Sequence, residues 1–161
     1  MRRQHLLALA TLCIALAPLA AQAQSGTAVP PPPYRPGVGD LMTMTVQPRH
    51  LKLGLAGQEK NWTYAEYELH ELEGAFKRLA RLSPQWRDIA LADLISATTK
   101  EPMEAVSQAI KAGDATKFSE AYARLTETCN ACHQSSNVGM VVIQAPKMSP
   151  FPNQDFRAIK R

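Results

Sequence analysis

Five consecutive residues toward the C-terminal end carry the chemistry that this chain can do: Cys129-Asn130-Ala131-Cys132-His133. On a helix, residues three apart share a face, so the two thiols point the same way. His133 follows Cys129 by four positions and falls on that side too. Thiols so spaced reach the two vinyl groups along one porphyrin edge, and the adjoining imidazole reaches the iron. Cys-x-x-Cys-His is the attachment signature for c-type haem, and a histidine nitrogen is an ordinary proximal ligand. The motif therefore implies one covalent haem c, with Cys129 and Cys132 as thioethers and His133 on the iron.

Three other readings compete. A disulfide across Cys129 and Cys132 would staple a short loop and stabilise little. A thioredoxin-like dithiol belongs at the start of a helix after a strand, where the dipole lowers the thiol pKa; here the motif closes a helical pattern. A zinc site needs a fourth ligand, for which the sequence offers only His50, His70 or an acid.

The elements that must position this motif are helical. A first helix over about Gly39 to Gln58 has Leu41, Met44, Pro48, Leu51 and Leu55 on one face. Met42, Val46 and Leu53 form a second stripe, and Pro48 threatens a kink or restart. The second helix is capped near Asn61 to Thr63. Trp62, Ala65, Leu69, Leu72, Phe76 and Leu79 line one face of it, with Glu66, Glu68, Glu71 and Glu73 turned away and His70 exposed. Ser83-Pro84 reads as the opening of a third helix, interrupted near Thr98 to Pro102 and ended by Gly113. Asp114 caps a fourth, in which Phe118, Ala121, Tyr122, Leu125, Cys129 and Cys132 share a face. Trp62 and Trp86, at helical spacing among aliphatic residues, read as core. The pattern predicts an all-α fold: a four-helix up-down-up-down bundle over 38–134. It follows a proline-rich lead at 24–37 and precedes a tail at 135–161, which either wraps the bundle in extended form or is partly disordered.

The first 23 residues read as a signal peptide: Arg2 and Arg3, an apolar run from Leu6 to Leu19, then Ala21-Gln22-Ala23 for cleavage. The run is shorter than the roughly 20 apolar residues of a permanent anchor. Export to the periplasm without stable membrane insertion is the expectation. Cleavage removes Cys13 and His5 and, with Arg2 and Arg3, takes the formal charge from +4 to +2. A chain so near neutrality has no electrostatic footprint for nucleic acid.

A helical bundle with Cys129-x-x-Cys132-His133 at the end of its last helix resembles the class II cytochromes c, meaning cytochrome c-prime and its low-spin relatives. The resemblance spans roughly Val38 to Gln134. It implies a haem lying along the bundle between the first and last helices, with one iron face reached through the first helix. It also implies a distal methionine from that helix or a vacant position, and dimers formed through the first two helices. In this chain Met42, Met44 and His50 are the distal candidates. Gly54 and Gly57 beside His50 leave room for something flat and large. Arg49 and Lys52 are either partners for the haem propionates or solvated charges.

The leading function is electron transfer between redox partner proteins. A vacant iron would instead favour capture or sensing of nitric oxide or carbon monoxide. A third reading is an accessory haem subunit docked on a larger oxidoreductase by its tail, through Val141 to Ile143 and Phe151 to Phe156. No acid/base pair accompanies the motif, so enzyme activity is not expected.

Overall fold

A computed structural model describes residues 33–159. The signal-peptide reading and most of the proline-rich lead lie outside them. Among the described residues the regular structure is entirely helical. The first helix, α1, comprises three contiguous segments, Val38–Leu41, Met42–Val46 and Gln47–Gln58. It is followed by α2 (Trp62–Leu82), α3 (Leu91–Ala112) and α4 (Ala115–Ser135). Each packs on its neighbour in sequence, and α4 closes against α1, giving the up-down-up-down bundle that the patterning predicts. His50 meets Thr126, Gly54 meets Tyr122 and Gly57 meets Phe118, so α1 and α4 run antiparallel.

Caps set the helix ends. Asn61 Oδ1 accepts from the Tyr64 amide at 3.2 Å, and Asp114 Oδ1 accepts from Thr116 and Lys117 at 3.0 Å each. Gly113, at φ 63°, ends α3 in the left-handed conformation that glycine adopts without strain.

Two prolines behave differently from each other. Pro48 has no amide hydrogen, and in a regular helix its ring would press on the carbonyl of Met44. The preceding turn, Met42–Val46, widens to a π-helix, with the Gln47 amide bonded back to Met42 O. In such a turn residues five apart stack. Val46 therefore falls over Leu41, each 6% exposed, while Met44 swings out to 73% exposure. The predicted Leu41/Met44/Leu51/Leu55 stripe loses Met44 for this reason. Pro102, expected to break the third helix, is buried inside an uninterrupted α3. One missing hydrogen bond is tolerated where the proline ring packs in the core.

The start of α3 also differs from expectation. Residues 83–90 form a turn closed by paired Trp86 and Ile89 backbone bonds of 3.0 Å, and the helix begins at Leu91 instead of Pro84. Trp86 packs partly buried against the core there, with the Arg87 guanidinium 4.3 Å over its ring. Glu68, assigned to the outer face of α2, is 1% exposed because Arg49 of α1 reaches it at 3.1 Å. The tail wraps the bundle. Phe156 is buried, Asn61 donates to the carbonyls of Phe156 and Arg157, and Gln58 donates to Pro146.

Candidate haem attachment site

The motif lies within the last two turns of α4, where i and i+3 positions keep Cys129 and Cys132 on one face. Both thiols are unbridged and half-buried. With His133 they line one cavity of about 90 Å³, walled by all four helices and the tail. Met42, Val46, Phe76, Ile95, Val141 and Ile143 give it an apolar lining. Pockets for small organic ligands usually occupy about 300 Å³ or more, so a porphyrin needs these walls to part.

His133 Nδ1 lies 2.7 Å from the carbonyl oxygen of Val141. A carbonyl only accepts, so this nitrogen carries the hydrogen, and in the neutral imidazole the lone pair is then on Nε2. That tautomer is the one that metal-bound histidines adopt when a backbone carbonyl holds the other ring nitrogen. The donor set fits haem: two thiols on one face, a histidine whose Nδ1 is held by a carbonyl so that Nε2 is the ligating nitrogen, and apolar walls. It fits the rival chemistries poorly. Burial and the neighbouring Cys132 push the Cys129 thiol up to about 11, away from the thiolate needed for dithiol exchange. Among the described residues no three His, Cys, Asp or Glu side chains gather as a metal cluster.

The distal candidates separate. Met42 is half-buried and lines the cavity without a polar partner. His50 is 4% exposed and also lines it, yet both ring nitrogens are engaged. Nε2 is 3.0 Å from Thr126 Oγ1 and Nδ1 is 3.1 Å from the Tyr122 hydroxyl. Burial lowers its pKa to about 4, so it is neutral at physiological pH. Met44 faces solvent and does not line the cavity. The space expected beside Gly54 and Gly57 is filled by the protein itself. A Cβ at Gly54 would stand 2.6 Å from Tyr122 Cζ, and one at Gly57 would overlap the Phe118 ring.

Both propionate candidates have partners within the chain. Arg49 is held by Glu68 at 3.1 Å and Glu71 at 3.4 Å, and Lys52 Nζ sits 4.6 Å from the Phe151 ring centroid. His70 is exposed on α2, as its position among acids indicates. Sequence reasoning missed Thr126, Tyr122, Asn130 and the carbonyl of Val141. The first two sit one turn apart on the motif's own helix, where their hydroxyls were a readable signal. The carbonyl carries no side-chain signal at all.

No family model, curated protein or solved structure matches this chain. What the site does must therefore come from its own geometry.

Proposed function

We propose that the chain is an exported, periplasmic mono-haem c-type cytochrome of the class II kind, carrying electrons between redox partner proteins. One observation carries the reading: Cys129, Cys132 and a His133 whose Nδ1 is held by the Val141 carbonyl meet on the wall of a single apolar cavity. Bound haem supplies a one-electron ferric–ferrous couple there. The chain does the rest. Cys129 and Cys132 fix the ring edge to α4, and His133 presents Nε2 to the iron. Met42, brought to the cavity by the π turn before Pro48, offers a thioether on the side of α1. Methionine opposite histidine raises the reduction potential, as suits an electron carrier. His50 stays neutral and adds no charge to the apolar wall.

Kinship with the class II cytochromes rests on the motif at the end of the last helix and on a cavity that the first and last helices line together with the other two and the tail. Export rests on the reading of Arg2 to Ala23. Among the described residues no helix is long and apolar enough to cross a membrane. Of the apolar tail residues that pointed to docking on a larger complex, Val141 and Val142 are exposed, at 50% and 61%. Val141 and Ile143 line the cavity, and Phe151 and Phe156 pack on the bundle.

Optical spectra of the oxidised and reduced protein, exported from a host with haem-maturation machinery, test this function. Sharp low-spin bands in both states are expected for the wild type. Met42→Ala should convert them to high-spin bands and lower the potential. Sharp bands unchanged by Met42→Ala but lost in His50→Gln would move the distal role to His50. Broad wild-type bands that sharpen with carbon monoxide would overturn the electron-carrier reading in favour of gas capture.

A further inference from the structure

Cys129, Cys132 and His133 need nothing beyond the end of α4 to form an attachment motif, yet the chain turns back over it. The reversal is built at Asn137, which adopts φ 57°. Around it the Val138 amide bonds to His133 O at 2.9 Å and the Asn137 amide to Gln134 O at 3.2 Å, a Schellman closure with asparagine in the left-handed position. A following turn, Val141 N to Val138 O at 2.9 Å, lays residues 141–143 along the helix they have just left.

The returning segment is held by one side chain. Asn130 Nδ2 donates to Ile143 O at 2.9 Å, and Asn130 Oδ1 accepts from Ile143 N at 2.7 Å. A primary amide offers a donor and an acceptor side by side, as a peptide group does, so Asn130 pairs with Ile143 much as a neighbouring strand would. In an extended segment, alternate residues present carbonyls and side chains to the same side. Fixing Ile143 therefore also aims the carbonyl of Val141 at α4, where it meets His133 Nδ1 at 2.7 Å. Val141 and Ile143 both line the cavity, Val141 at its rim with 50% exposure, while Val142 between them is 61% exposed and does not line it. Asn130 and His133 are three apart on α4, so clamp and clamped imidazole share a face.

We infer that residues 139–143 are a strap that orients His133 and sets its donor strength toward the iron, with Asn130 as the positioning residue. This rests on the haem reading above. An acceptor on Nδ1–H makes the imidazole a stronger donor at Nε2, which favours the ferric state. The bundle supplies the cavity, and the tail supplies the partner that keeps the histidine in the ligating tautomer.

The test uses the full-length, haem-loaded protein and two variants that weaken the clamp from opposite ends. Asn130→Ala removes the amide. Ile143→Pro removes the amide hydrogen that Asn130 accepts, leaves the attachment motif untouched and suits an extended chain. Each variant should shift the ferrous-to-ferric ratio at a fixed poise by about tenfold toward ferrous, which is a rise of about 59 mV for a one-electron couple. The His133 ring N–H, followed by proton NMR, should exchange faster with solvent. Both variants holding covalent haem with unchanged potential and unchanged exchange would overturn the strap alone. A wild type without covalent haem would overturn the haem reading and the strap with it.

Discussion

At the scale of single residues, His50 is the buried titratable group whose protonation the fold opposes most clearly. Its imidazole faces Tyr122 and Thr126 of α4, with Cys129 on the same cavity wall and no carboxylate among those contacts. In the unfolded chain it takes up a proton near its ordinary value of 6.5, and in the folded chain only near 4. The contribution to stability is thus fully present above about pH 6.5 and is lost as pH falls from there toward 4. For haem-free protein this amounts to on the order of 2 kcal/mol between pH 7 and 4.5. Urea midpoints at the two pH values measure it, and His50→Gln should flatten the difference. The cysteines offer a second test. Cys132→Ala should weaken or abolish covalent attachment, and His70→Ala should leave the spectrum unaltered, as haem staining and absorbance will show. The candidate attachment residues could be picked out from the sequence because Cys-x-x-Cys-His is a local pattern. The distal side was not. Choosing between Met42 and Met44 depends on the phase of α1, which the π turn resets.

At the scale of elements, the contact between α1 and α4 is close because Gly57 lets the Phe118 ring lie against the backbone. Gly57→Ala overpacks that contact and should cost roughly 1–3 kcal/mol, read from denaturant unfolding. Between α1 and α2 the Arg49–Glu68 pair plays a different part. Arg49→Met would leave the Glu68 carboxylate buried without its partner, a loss of roughly 3–5 kcal/mol, again measured by urea titration. The helix count, the caps at Asn61 and Asp114 and the stop at Gly113 could be read from residue type, since each acts through its own backbone neighbours. Elements ruled by tertiary packing could not. Pro102 looks like a breaker until its ring is seen in the core, and Glu68 looks exposed until Arg49 arrives from another helix.

At the scale of the whole molecule, the tail completes the bundle and is not an appendage. Phe151 and Phe156 pack on the bundle, and Tyr64 hydrogen-bonds Gln154. Ending the chain after Lys147 removes the two phenylalanines and should destabilise the fold by roughly 3 kcal/mol or more, seen as a lower melting temperature. The sequence left this tail undecided because its anchors lie some 90 residues away along the chain, as Tyr64 and Gln154 do. The claim on which everything else rests is that Cys129 and Cys132 hold a haem. Intact mass of the exported chain, followed by mapping of the peptide that spans Cys129 to His133, tests it most directly. The expected result is a mass excess of one haem confined to that peptide and absent when both cysteines are alanine. A chain of unmodified mass, produced beside a control cytochrome that is correctly matured, would contradict it.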